Sequence, residues 1–296
     1  MSLNANHSIS VRCPSGCRAQ VRRRGKYFRK SEARFAQRYH CPKCQTSFSQ
    51  TLIEHRYRDR KPGLRRLVRG LLASGVSQRR GAILVHERRR TFVRYFIEVG
   101  KWSKTEIHEA NSREEPCRIV QFDDLETFEH TKCKPLSVTL FVQEESRRIL
   151  GYCVSRMPAK GKLAKLSRNK YGPRIDERAK NRHELLVSLK PLIADKALFK
   201  SDMNPHYKID IKKHFPEAQH EVYKGRRGCV TGQGELKAGG KDPLFSLNHS
   251  CAMLRANINR LFRRTWNTTK RPDRLDLHIA IYAHVHNAYL IDNPAK

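Results

Sequence analysis

The sequence predicts a multidomain protein: a small metal-stapled module and an all-helical module precede an α/β domain. Three observations carry this. Two cysteine pairs, Cys13-Pro14-Ser15-Gly16-Cys17 and Cys41-Pro42-Lys43-Cys44, stand near the start of the chain. Apolar residues then recur at helical spacing from Leu64 to Val99. From Val120 on, apolar and β-branched runs broken by polar turns read as strands of one sheet.

Composition narrows the partners. The chain has 296 residues, enough for two domains, or three if some are small. Apolar residues make up 38%, and 61 Lys and Arg face 28 acidic residues, a formal net charge of +33. A protein this positive repels itself unless it meets a polyanion, and DNA or RNA is the usual one. No run of apolar residues approaches a membrane span, no amphipathic stripe suits a bilayer interface, and no signal-peptide core opens the sequence, so an intracellular protein without a membrane partner is expected. Nine cysteines, an odd number, argue for metal binding by the clustered ones rather than a disulfide framework.

Residues 1–58 are read as a zinc ribbon. Each cysteine pair is a knuckle that aims two thiolates at one ion, and Cys13, Cys17, Cys41 and Cys44 complete a tetrahedral site. Four sulfurs leave no open position, so the zinc is structural. The first knuckle is one residue longer than the commonest spacing. The basic stretch between the knuckles suits a hairpin, with Tyr39, His40 and Phe48 packed around the metal. Its Arg22, Arg23, Arg24, Lys26, Arg29 and Lys30 suit phosphate contact.

Residues 59–102 are read as a helix-turn-helix. Pro62-Gly63 breaks the chain, and Leu64, Leu67, Val68, Leu71 and Leu72 form one helical face. Gly75-Val76-Ser77 is a turn with Ser77 as N-cap of a helix to Val85. A third helix is expected from His86 to Val99, with Phe92, Val93, Phe96 and Ile97 inward and Arg88, Arg89, Arg90 and Arg94 turned toward DNA. The alternative is a plain helical hairpin with a solvated basic face. Polar residues 103–116 read as a linker.

Residues 117–296 form the α/β domain. Val120-Gln121-Phe122 runs into Asp123-Asp124, and later Ala197-Leu198-Phe199-Lys200-Ser201 runs into Asp202. An acid at a strand end is costly to bury unless it is paired or binds a cation. The alternative is that these aspartates cap strand ends or pair with Arg. Basic insertions are expected near 157–182 and 224–242, the first as a mobile loop that orders on phosphate. The second lacks the spacing of a phosphate-cradling loop. Helices are expected at Glu184–Ile193, Asn204–Phe215, Leu247–Arg264 and Ile279–Leu290, with a strand at Glu221–Tyr223. His278, His284 and His286 do not form a ligand set.

Taken in order, the chain resembles transposases of bacterial insertion sequences that join a zinc ribbon, a helix-turn-helix and a DDE-type catalytic domain. The resemblance rests on Tyr39 to Phe48, the strand reaching Asp123, Lys200-Ser201-Asp202, and a C-terminal run. That run comprises Asn248, Leu254-Arg255, Arg260-Leu261-Phe262-Arg263-Arg264-Thr265, Lys270, Tyr282 and His286-Asn287. It implies a ribonuclease H-like fold with a mixed sheet, and catalytic Asp123 and Asp202. The family's third residue is a glutamate early in the closing helix, where this sequence has Asn248. Either Asn248 (or His249) completes the site or the chemistry has been lost, and Glu235 is the nearest upstream acid. The resemblance further implies Mg²⁺ or Mn²⁺ held by Asp123, Asp202 and Asn248. Two such ions can activate the attacking oxygen and stabilise the leaving one. The implied partner is double-stranded DNA, both terminal repeats and target, contacted also by Arg255, Arg263 and Arg264. A homodimer or higher oligomer acting at the bacterial nucleoid is implied too. The competing reading is a decayed transposase or regulator that binds DNA and cuts nothing.

Overall fold

The computed structural model describes residues 11–17, 19–30, 33–53, 61–224, 242–262 and 267–292. The chain divides into two compact units, residues 1–66 and 67–296.

The first unit is built on a three-stranded antiparallel sheet. Strands β1 (Arg22–Arg29), β2 (Arg34–His40) and β3 (Ser47–Ser49) lie in that order, followed by the single turn α1 (Gln50–Ile53). The expected hairpin between the knuckles is β1–β2. Its core is small: Cys13, Tyr39, Cys41 and Phe48 are buried together, with the Tyr39 and Phe48 rings stacked at 5.7 Å. So few apolar side chains cannot hold a module of this size, and a metal staple is the usual remedy.

Helix α2 (Pro62–Ala73) leads into the second unit. Ser77 caps α3 (Gln78–Leu84), its hydroxyl accepting the Arg80 N–H at 3.2 Å. Helix α4 runs from Arg89 to Asn111, well beyond the expected stop at Val99. Residues 103–111 are therefore not linker. The stripe Phe92, Phe96, Val99, Ser103, Ile107 and Asn111 continues at helical spacing and is buried throughout. Charged side chains between those positions hide the stripe in the sequence.

The α/β part is a mixed five-stranded sheet in the order β6-β5-β4-β7-β8. Strands β4 (Cys117–Phe128), β5 (Pro135–Gln143) and β6 (Ile149–Arg156) form an antiparallel meander; β7 (Ile193–Asp202) and β8 (Gln219–Tyr223) run parallel to β4. Helices α5 (Leu163–Tyr171), α6 (Arg178–Leu189) and α7 (Pro205–His214) connect the strands. Helices α8 (Phe245–Asn257) and α9 (Pro272–Val285) close the chain, with a π-helical turn over His286–Ile291. One face of the sheet (Leu136, Val138, Leu140, Ile149) packs on α8 and α9 with Ile107 of α4. The other (Val120, Phe122, Phe141, Phe199) packs on α6 and α7, with Phe122 and Phe141 stacked at 4.7 Å.

Several boundaries differ from expectation. Strand β4 does not stop at Asp123 but carries both acids in its middle. The basic stretch near 157–182 is folded rather than a loop. It contains α5, and Arg182 is buried in an ion pair with Asp210, Nε to Oδ2 2.5 Å. Helix α8 ends at Asn257 rather than Arg264, and α9 begins at Pro272 rather than Ile279, with Pro at a first-turn position and Asp273 beside it. The Gly-rich insertion at 224–242 lies, but for its two end residues, outside the described residues, as do Glu235, Arg263 and Arg264.

Candidate functional site

Two constellations carry chemistry, one in each unit. In the first, the Sγ atoms of Cys13, Cys17, Cys41 and Cys44 all lie within 4.8 Å of one another. Zinc thiolate geometry would set them about 3.8 Å apart, the edge of a tetrahedron with bonds near 2.3 Å. The backbone explains the gathering. Gly16 adopts φ +77 and its N–H donates to the Cys13 carbonyl at 3.0 Å, closing the longer knuckle. Gln45 adopts φ +56 and the Cys41 N–H donates to the Thr46 carbonyl, closing the second. Within the cluster, hydrogen bonds from Thr46 pull Cys44 down to about 6, while the hydrogen bond to Cys44 and then burial push Cys17 up to about 12, so without a metal the thiols share their protons unequally. This cluster could hold a metal such as zinc, as the spacing predicted.

The second constellation lies on β4 and β7. Gln121 pairs with Lys200 where the β4–β7 ladder ends, and two residues further along these parallel strands come Asp123 and Asp202, near enough for the Asp202 charge to act on Asp123. Burial first, and then the Asp202 charge, push Asp123 up to about 7. Its Oδ1 accepts the Asp124 N–H at 2.6 Å and the Tyr207 hydroxyl at 3.1 Å. Tyr207, completely buried on α7, is itself raised far above the ordinary tyrosine range by burial and by the three neighbouring carboxylates. Asp124 accepts the Thr139 hydroxyl at 2.5 Å, from the strand next door. Asp202 accepts the Asn204 N–H at 3.0 Å, and Asn204 in turn caps α7. Among the described residues, no Lys or Arg makes a salt bridge to Asp123, Asp124 or Asp202, although Arg178, Arg182 and Lys200 each pair with other acids. The site is thus a concentration of negative charge, half-buried, inside a strongly cationic chain.

Asn248 is not brought into this cluster by any direct contact. It is exposed on the first turn of α8, and its Nδ2 donates to Asp242 Oδ2 at 2.9 Å. His249 points to Arg147, Nε2 to Nη1 3.3 Å. The α8 side chain that senses Asp123 is Cys251, whose thiol is pushed up to about 12, mainly by burial and further by the Asp123 charge. Helix α8 is docked by Gln121, whose Oε1 accepts the Leu247 N–H at 2.9 Å while its Nε2 donates to the Pro243 carbonyl at 3.0 Å. Sequence reading missed Gln121, Tyr207 and Cys251. Only Gln121 gave a signal: an amide in the middle of an apolar run.

The cationic residues divide likewise. Arg88, Arg89 and Arg90 are exposed around the start of α4, and Arg94, also exposed, lies over the Tyr95 ring. Arg255 lies half-buried on α8. The C-terminal motif has a structural job. Asn287 Oδ1 accepts the Ile149 N–H at 3.0 Å and its Nδ2 donates to the Ile149 carbonyl at 2.9 Å, which clamps the end of the chain to β6. His286 bonds the Arg147 carbonyl at 2.9 Å, and the Tyr282 ring stacks on His286. No helix among the described residues is long and apolar enough to cross a membrane. Comparison with models of protein families and with curated proteins finds no match for the chain.

Proposed function

We propose that the chain is a DNA transposase of the DDE type, in which Asp123 and Asp202 hold divalent cations and a zinc-bound ribbon and the basic start of α4 hold DNA. One observation carries the reading: two aspartates on adjacent parallel strands lie within reach of each other's charge, with no salt bridge to Lys or Arg among the described residues, in a chain of net charge +33. Buried like charges of this kind are maintained where a cation or a proton is to be bound. The strand order β6-β5-β4-β7-β8, with a three-stranded meander and two parallel additions, suits a ribonuclease H-like domain. Mg²⁺ or Mn²⁺ at this pair would activate water for phosphodiester hydrolysis, and then the freed 3′-hydroxyl for attack on target DNA. The protein's own part is to hold the two carboxylates in register, through Tyr207 on Asp123 and the Asn204 N–H on Asp202.

A second reading has its own observation. Asn248 turns to Asp242 and offers a neutral amide where the family has a carboxylate. A protein that keeps DNA recognition and has lost cleavage would tolerate this. One experiment separates the two: strand cleavage of the DNA ends flanking the protein's own gene, with Mg²⁺ or Mn²⁺. Wild type would run beside Asp202→Asn, Asp123→Asn and Asn248→Ala. The enzyme reading expects metal-dependent cutting that Asp202→Asn abolishes while DNA binding survives. Tight binding without cutting under either metal would establish the regulator.

A further inference from the structure

The first unit carries a feature that metal binding does not use. Phe28 and Phe35 stand directly opposite each other on β1 and β2, rings 5.3 Å apart and edge to face, yet they remain 51% and 65% exposed. They are six residues or more along the strands from Cys41, roughly 20 Å from the cysteine cluster at about 3.3 Å per residue. They take no part in the Tyr39–Phe48 core. Two large rings left in water cost the fold burial it could have had, and an exposed apolar pair of this kind marks a contact surface. Its surroundings say what the contact is. On β1 the residue two before Phe28 is Lys26, and Arg22, Arg23 and Arg24 precede it, all exposed. On β2, Arg38 is exposed and lies over the Tyr27 ring at 4.9 Å, on the face of the hairpin opposite the two phenylalanines. The partner must present flat apolar faces inside an anionic envelope. Stacked bases between phosphate backbones meet both demands.

We propose that the Phe28–Phe35 pair is a wedge that enters a base step of duplex DNA from the minor groove, while the cations of β1 hold the flanking phosphates. Architectural DNA-binding proteins use apolar side chains this way, and offset the cost of unstacking with the added contact of a bent duplex. The geometry fits. A two-stranded arm presents both rings on one face, in a single cross-strand pair, with Lys26 and Arg23 following on that face and the other β1 arginines close by. The inference rests on the DNA-binding reading above and adds the mode of contact.

The test uses the full zinc-loaded chain and short duplexes from the DNA flanking its gene, each with 2-aminopurine at a different step. Phe28→Ala/Phe35→Ala is compared with wild type and with the aromatic-retaining Phe28→Tyr/Phe35→Tyr. Both rings are exposed, so the variants should fold; zinc content and the melting curve check this. Wild type and the tyrosine variant should brighten 2-aminopurine at one step. The alanine variant should lose that signal and bind roughly 5- to 100-fold more weakly, the range seen when an aromatic ring that stacks on a base is truncated. Equal affinity of wild type and alanine variant, with no brightening at any step, overturns the wedge and leaves DNA binding standing. No DNA binding by wild type overturns both. Unchanged DNA affinity with loss of self-association in the alanine variant would assign the pair to a protein interface and also overturn the wedge.

Discussion

Asp123 is held where a lone carboxylate is expensive. Burial and the Asp202 charge raise it to about 7, against an ordinary value of 3.8. The sign follows. The metal-free fold keeps a proton that the unfolded chain releases, so this residue weakens the fold as pH rises from about 4 to about 7, and the penalty stays in full above that. Asp123→Asn should therefore raise the stability of the metal-free protein in mildly alkaline solution, by roughly 1–3 kcal/mol. It should also erase any rise in melting temperature on adding Mn²⁺. A destabilised variant would remove the idea that Asp123 is strained for function. His278 acts in the opposite sense. It is buried on α9 with Nε2 bonded to the Leu72 carbonyl at 2.9 Å, Phe96 edge-on, and the Arg260 guanidinium nearby. Burial first, then Arg260, lower it to about 4 from 6.5. The unfolded chain takes up the proton first, so the stability it contributes is complete above about 6.5 and falls as pH drops toward 4, by roughly 3 kcal/mol in all. Urea midpoints across that range should thus fall more steeply toward acid in Asp123→Asn than in wild type, because the opposing carboxylate is gone. Parallel slopes would show that the two groups do not govern this window.

At the scale of elements, close approach decides which glycines matter. On α4, a Cβ at Gly100 would lie 2.7 Å from Leu277 Cβ and 3.0 Å from the Leu277 carbonyl oxygen, both fixed parts of α9. Gly70 on α2 has nothing within 4 Å. Helix propensity favours alanine at both by up to about 1 kcal/mol. At Gly100 the clash outweighs it, since overpacking costs about 1–3 kcal/mol. Gly100→Ala should lower the thermal midpoint and Gly70→Ala should hold or raise it; the reverse order would contradict the α4–α9 packing. The same elements mark how much was legible in the sequence. Helices α2 and α3, the Ser77 cap, the β1–β2 hairpin and the four cysteines follow from local spacing, and structure and sequence agree on them. The length of α4 did not show, because its stripe thins to Ser103, Ile107 and Asn111 among charges. The reach of β4 did not show either, because two acids in mid-strand read as a stop. Local pattern placed Asp123 and Asp202 near strand ends, but that they come within reach of each other's charge follows only from the pairing of β4 with β7. Tyr207 on Asp123 and the Gln121–Leu247 bond join residues 84 and 126 apart, a separation no local period can encode.

On the scale of the whole molecule, two units with different sources of stability share one chain. The second has two extensive apolar cores, one on each face of a five-stranded sheet. Among the described residues of the first, the apolar cluster has four buried members, Cys13, Tyr39, Cys41 and Phe48, two of them cysteines of the metal-binding set. Structural zinc supplies on the order of 10–16 kcal/mol of apparent binding free energy, which is folding free energy where no site exists in the unfolded chain. Nothing else among the described residues of the first unit is of that size, so the metal should decide whether it folds at all. Removing it, by a strong chelator or by Cys41→Ser, should melt the first unit completely and leave the second with its own transition. Amide exchange read peptide by peptide is the measurement: protection should vanish across β1, β2 and β3 and persist across β4, β5 and β7. Loss of protection in both units would mean they fold as one, and would end the reading of the ribbon as a separable module. On the proposed DNA-binding function, affinity for DNA gives an independent check. Melting the first unit scatters the cations of β1 without altering their charge, so binding should weaken. The slope of log affinity against log salt should become shallower by about one for each phosphate that β1 no longer neutralises. An unchanged slope would assign phosphate binding to the second unit, with the basic start of α4 as the first surface to mutate.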